Sequence, residues 1–153
     1  MSRSFVYNID MAYKFFGWDT PSVKPINNEY LSIRDQRHLY DLLSNLWSDY
    51  TCAPRMRKDW SKDNKTLGQC SITAFLVQDI FGGEVYGVPL GDGNYHCFNK
   101  IGDVVFDLTS EQFGDTKLDY QNVVLQSRDK HFSKEEKYQR YLYLKEQLKK
   151  TLN

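Results

Sequence analysis

The stretch Gly68-Gln69-Cys70-Ser71-Ile72-Thr73-Ala74-Phe75-Leu76-Val77-Gln78-Asp79-Ile80-Phe81-Gly82-Gly83 decides how this chain folds. Ile72, Phe75, Leu76 and Ile80 recur at helical spacing, and Ala74 and Val77 widen the apolar face. The spacing predicts a helix over 71–81, buried on most of its circumference. Gly82-Gly83 supplies the left-handed stop that ends a helix cheaply. Cys70 stands at the first turn or one residue before it, where the helix dipole and free N–H groups favour a thiolate. Beyond the glycines, Glu84 to Leu90 predicts a strand and Gly91-Asp92-Gly93 a turn. Tyr95 to Asn99 and Val104 to Leu108 predict two more strands folded around Gly102-Asp103. His96 falls on the first of these, Asp107 on the second.

A helix-borne thiol, a strand imidazole and a strand carboxylate are the parts of a cysteine nucleophile with its base and its orienter. A two-residue turn at Ile101-Gly102 sets residues 96 and 107 directly opposite, with Cβ atoms about 5 Å apart. A turn at Gly102-Asp103 makes the pair diagonal but keeps it on one face. The expected roles are Cys70 as nucleophile, His96 as base and Asp107 as orienter. The Cys70 N–H and the Gln69 side-chain amide are the expected oxyanion donors. Each residue also has a plainer reading: a core thiol, a hydrogen-bonded strand histidine, an aspartate closing a turn. Their joint placement is what points to chemistry. Cys97 points to the strand face opposite His96 and, with Cys52, reads as structural. His38 and His131 read as solvent-exposed. A zinc site from Cys52, Cys70, His96 and Cys97 is a rival, without a Cys-x-x-Cys pair behind it. So is a non-catalytic binding module, which a fully buried Cys70 sulfur would favour.

Working outward, Ser32 is the expected cap of a helix carrying Leu39, Leu42, Leu43, Leu46, Trp47 and Tyr50, ended before Pro54. Residues 51–67 form a polar, basic loop around Trp60. Residues 1–31 read as an arm packed on the domain, with a strand at Phe5-Val6-Tyr7 and a short helix from Met11 to Trp18. Thr109 with Gln112, and Ser133 with Glu136, fit capping boxes. Val123-Val124-Leu125 is a further strand candidate. Tyr138, Tyr141, Leu142, Leu148 and Leu152 mark a closing helix. The sum is an α+β fold: a central Cys70 helix on an antiparallel sheet of four or five strands, with flanking helices.

The chain has 153 residues, enough for one domain (1–153: arm 1–31, core 32–153). Its 20 basic and 20 acidic residues cancel, leaving no field to attract nucleic acid or an anionic membrane. The N-terminus lacks the apolar run of a secretory signal, and no segment has the length of a membrane span. Three cysteines without paired spacing suit a reducing cytosol. The expected substrate is a peptide, amide or ester, with no cofactor and no metal.

Several strings carry a resemblance. Leu67 to Ala74, Val77 to Glu84, His96 to Asn99 and Asp107-Leu108-Thr109-Ser110-Glu111-Gln112-Phe113 resemble the YunG-like family of small bacterial proteins, with Trp47, Trp60, Ser127-Arg128 and Tyr141 to Leu144 as flanks. The match spans about residues 38–148. Gly-Gln-Cys and Asp-Leu-Thr-x-x-Gln-Phe are its specific motifs. The motif order is similar to that of the wider transglutaminase-like and papain-like superfamily. That resemblance implies Cys70 as nucleophile, His96 as base and Asp107 as orienter, but no named substrate. Cys97-Phe98 stands where a Tyr-Trp pair is expected, and the N-terminal arm is longer than the family's.

Overall fold

The computed structural model describes residues 13–153; the strand expected at 5–7 lies outside them. In chain order the elements are helix α1 (Gln36–Ser44), helix α2 (Cys70–Phe81), strands β1 (Glu84–Pro89), β2 (Tyr95–Ile101), β3 (Val104–Phe106) and β4 (Val124–Leu125), then helices α3 (Arg128–Phe132) and α4 (Glu135–Leu152). Short 3-10 turns cover Asn28–Tyr30, Pro54–Asp59 and Ser110–Phe113. The fold is α+β. Its sheet is antiparallel throughout, in the order β3-β2-β1-β4.

Helix α2 buries Ile72, Thr73, Ala74, Phe75, Leu76, Val77, Ile80 and Phe81, so water is excluded from nearly its whole circumference. One side lies on the sheet, where Asn99 of β2 donates to the Ala74 carbonyl at 2.9 Å. The other meets α4 through Tyr141, Leu144 and Leu148. Arg128, at the start of α3, joins these layers: its Nη2 donates to Phe75 O, Gln78 Oε1 and Asp79 Oδ1 at 2.7–3.0 Å.

Several expectations need correction. Asp35, not Ser32, caps α1 by accepting from the Arg37 and His38 N–H groups, because the helix starts at Gln36 and Ser32 lies too far ahead of it to reach the first-turn donors. The helix stops at Ser44, well short of Tyr50. Ser48 and Thr51 bond each other's backbone through their hydroxyls, an alternative to continuing the helical ladder. That turn lets Trp47 reach across to Thr73 Oγ1 at 3.0 Å. Within the described part of the expected 11–18 helix there is no helix: Phe16 forms an isolated antiparallel bridge with Asp107. The extended backbone sends Phe15 into the core and stacks Phe16 on Tyr120 at 3.8 Å. Neither capping box forms. The Thr109 hydroxyl bonds Asp107 and that of Ser133 bonds Lys130 O, so α4 begins at Glu135 without a side-chain cap. Helix α3, capped by Ser127, is only five residues long.

No helix among the described residues is long and apolar enough to cross a membrane.

Candidate functional site

Gly68 has φ +70°, a left-handed turn that redirects the chain into α2. Gln69 is the N-cap and Cys70 the first helical residue, so its sulfur stands at the positive end of a buried helix.

The hairpin of β2 and β3 pairs Ile101 with Val104 and Asn99 with Phe106, which puts the turn at Gly102-Asp103. His96 and Asp107 are therefore diagonal rather than opposite. Asp107 lies one residue past β3, held by its N–H to the Phe16 carbonyl at 2.9 Å. His96 Nε2 meets Asp107 Oδ2 at 2.6 Å with both side chains 1% exposed. The other ring nitrogen is left for Cys70, whose sulfur favours the charged form of the ring and whose S–H donates to Tyr95 O at 4.0 Å. The structure thus brings Cys70, His96 and Asp107 to one place, with His96 and Asp107 in direct hydrogen bond.

Burial works against a charged His96, but the Asp107 carboxylate, by charge and by hydrogen bond, outweighs it and pushes the imidazole up to about 10. The Cys70 thiol is held well below its ordinary range. The largest cause is a hydrogen bond from the Cys97 thiol; burial opposes it, and the hydrogen bond and charge of His96 add to it. Both shifts favour a thiolate beside an imidazolium. Cys70 lies deep among its neighbours yet is not sealed: it is only partly buried, where Cys52 and Cys97 are fully so.

Cys97 is where the sequence reading misled. It does point away from the His96 face, but α2 lies on that other face, as Asn99 two residues on confirms by bonding α2. The thiol consequently ends beside Cys70, while its S–H is kept protonated by the neighbouring thiolate and by burial. His131 is also not exposed. Its Nε2 lies 2.7 Å from Gln126 Oε1 and 3.9 Å from the Cys97 sulfur, and Lys137 reaches its Nδ1 at 2.9 Å. Burial, then Lys137, pushes His131 down to about 4. His38 is half-buried, its Nδ1 accepting the Arg34 N–H.

Gln69 does not offer its amide to the thiol. It is fully buried, its Nε2 donates to Ser48 O at 3.1 Å, and its Oε1 has no hydrogen-bond partner. The free hydrogen-bond donors on this side are the N–H groups that open α2. Nor does Cys52 join a zinc site: its sulfur packs against Gly68 and donates to Ala53 O. Among the described residues no three His, Cys, Asp or Glu side chains are grouped to hold a metal ion.

Residues 107–113 each have a task here. Asp107 Oδ1 accepts from the Thr109 N–H and hydroxyl, which leaves Oδ2 to His96. Leu108 is buried; Ser110 Oγ accepts the Phe16 N–H at 2.8 Å, and Glu111 accepts from the Tyr40 hydroxyl. Gln112 bridges Thr109 O at 2.9 Å to the Gly68 N–H at 3.4 Å, tying the carboxylate turn to the thiol loop. Phe113 packs edge-on against the His96 ring, centroids 4.7 Å apart. Tyr120, unnoticed in the sequence because it lies in an irregular loop, donates to Asp107 Oδ2 at 2.7 Å.

A family model described as YunG protein matches residues 35–153. The chain is similar to the uncharacterised protein YunG of Bacillus subtilis (strain 168), 33% identical over 118 residues, covering 76% of this chain and 93% of that protein. No solved structure matches the chain. With its central helix, hairpin and 107–113 motif all inside the matched region, the chain belongs to the YunG family.

Proposed function

We propose that the protein is a cysteine-dependent acyl hydrolase or acyltransferase, acting on a peptide, amide or ester. The thiolate of Cys70 attacks the carbonyl carbon, and the oxyanion forms against the free N–H groups at the start of α2. The His96 imidazolium gives its proton to the leaving amine or alkoxide, which departs and leaves a thioester on Cys70. His96, now neutral, takes a proton from water or an acceptor amine, which attacks the thioester and frees the thiol. Asp107 holds the imidazole and stabilises its charged form throughout. No step calls on a metal or cofactor. The observation that carries this reading is the 2.6 Å contact between the buried His96 and Asp107 side chains, with the Cys70 sulfur beside the ring at the start of α2.

The helix-borne cysteine on an antiparallel sheet bearing His and then Asp supports placing the fold with papain-like and transglutaminase-like proteins. The free state of all three cysteines fits a reducing cytosol. The balanced charge favours a neutral substrate over nucleic acid or a membrane surface. The partial exposure of Cys70 favours chemistry over a closed binding module.

The test is the pH dependence of iodoacetamide alkylation, resolved by peptide mass so that Cys70 is followed apart from Cys52 and Cys97. The expected midpoint lies well below that of a free thiol and moves upward in His96→Ala. A midpoint at the free-thiol value, unmoved by His96→Ala, overturns the triad.

A further inference from the structure

Cys97 has no part in the acyl reaction beyond its hydrogen bond, yet it is the buried neighbour of the most reactive sulfur in the chain. We propose that Cys70 and Cys97 form an oxidative modification site, in which a hydroperoxide oxidises Cys70 and Cys97 closes an intramolecular disulfide. The proposal requires a nucleophilic Cys70 but not the acyl chemistry.

Three observations carry it. The two thiols meet at one junction: Cys70 stands one turn before Ala74 on α2 and Cys97 two residues before Asn99 on β2, the Asn99–Ala74 bond holds these elements together at 2.9 Å, and the Cys70 sulfur reaches Tyr95 O, two residues from Cys97, at 4.0 Å. Access is unequal: Cys70 keeps an opening to solvent and Cys97 is 1% exposed, so an oxidant in solution meets Cys70 first. Cys52, the other free thiol, is turned to Ala53 O on the far side of Gly68 and cannot compete. The register enforces the contact, because Cys97 shares the α2-facing side of β2 with Asn99, which is fixed to Ala74 O.

The chemistry balances. The Cys70 thiolate attacks one peroxide oxygen; the O–O bond breaks, and the departing oxygen takes the proton of the His96 imidazolium to leave as water or an alcohol. Cys70 is now a sulfenic acid, two electrons poorer, and the peroxide is reduced by two. Loss of the thiolate charge removes part of what kept Cys97 protonated. The Cys97 sulfur attacks the Cys70 sulfur, an S–S bond forms, the S–O bond breaks, and the hydroxide leaves as water with the Cys97 proton. A small dithiol reverses the bond, restoring both thiols. A sulfenic acid without a resolving partner goes on to the irreversible sulfinic acid.

The experiment treats the full chain with equimolar hydrogen peroxide, then denatures, alkylates and digests it. Cys70 and Cys97 fall together in the tryptic segment 66–100, so the bond registers there as the loss of two hydrogens and of both alkyl groups. The expected result is that loss, with Cys52 still alkylated and dithiothreitol restoring both thiols. Cys97→Ala and Cys97→Ser are expected to give instead a dimedone-trappable sulfenic acid at Cys70 that proceeds to sulfinic acid. Sulfinic acid at Cys70 of the unmodified sequence with Cys97 still alkylatable overturns the proposal. A link to Cys52 or between two chains does so too. The map of the unmodified sequence decides without the variants should neither fold.

Discussion

Oδ2 of Asp107 receives two hydrogen bonds, from His96 Nε2 at 2.6 Å and from Tyr120 Oη at 2.7 Å. A single oxygen shared this way binds each donor less tightly than it would bind either alone. Asp107→Asn removes the charge that raises His96, so the imidazolium gives up its proton and the Cys70 thiolate loses its counterion. The alkylation midpoint of Cys70 is then expected to rise, and any acyl turnover to fall by about 10²–10⁴-fold. Tyr120→Phe acts in the opposite sense. It deletes a hydrogen bond worth about 1 kcal/mol but returns the whole oxygen to His96, so the His96 titration, followed by histidine NMR, is expected to move further up. A downward movement would show that Tyr120 orients the carboxylate rather than competing for it. The residues Cys70, His96 and Asp107 were legible beforehand because helix period, strand alternation and hairpin symmetry fix their mutual placement. Tyr120 was not, since no period governs the 114–123 loop. Cys97 was assigned to the correct strand face but the wrong neighbourhood, because alternation gives a side and not what lies on it.

At the scale of elements, α2 was legible because its apolar residues leave no polar face to argue over, and glycines mark its end. The end of α1 was hidden by Leu46 and Trp47, which keep the helical spacing although Ser48 and Thr51 have already turned the chain. Helix α3 is five residues long, too short for a period to declare itself. The loop into α2 depends on Gly68. A Cβ there would stand 2.5 Å from the Cys52 sulfur and 2.9 Å from Ala53 N, on a backbone already at φ +70°. Backbone atoms cannot yield as a flexible side chain would. Gly68→Ala is accordingly expected to cost about 2 kcal/mol or more in urea unfolding and to slow Cys70 alkylation by displacing the start of the helix. Gln112→Ala is gentler, removing two hydrogen bonds for about 1–2 kcal/mol. Because it loosens the tie between the Gly68 loop and the Asp107 turn, its effect on Cys70 alkylation should exceed its effect on stability. Equal, small effects would mean that the 3.4 Å contact to Gly68 carries no positional role.

For the whole molecule, the site sets how stability depends on pH, through the difference in bound protons between unfolded and folded chains. The unfolded chain releases His96 and His131 near 6.5 and its cysteines near 9.0. The folded Cys70–His96 pair holds one proton, on the imidazole, up to about 10. Between 6.5 and 9.0 the unfolded pair also holds one, on the thiol, so these groups give no slope. Below 6.5 the unfolded chain binds a second proton on the pair, which the folded pair resists because its thiol is held well below the ordinary range, and one on His131, which folded stays neutral down to about 4. Both differences make stability fall as pH falls. Above 9.0 the unfolded thiols are bare while folded His96 and Cys97 keep their protons, so stability falls as pH rises. The expected profile of urea unfolding is a plateau with a limb on each side, and His131→Gln should flatten the acid limb while leaving the alkaline one. A sustained slope between 6.5 and 9.0, retained when Cys70 is replaced by Ser, would mean that other groups govern the profile; one that vanishes on that replacement would mean that the folded pair holds no proton or two. A thiolate–imidazolium and a thiol–imidazole carry the same proton count, so the plateau fixes the number of protons in the site and Cys70 alkylation fixes which atom holds them.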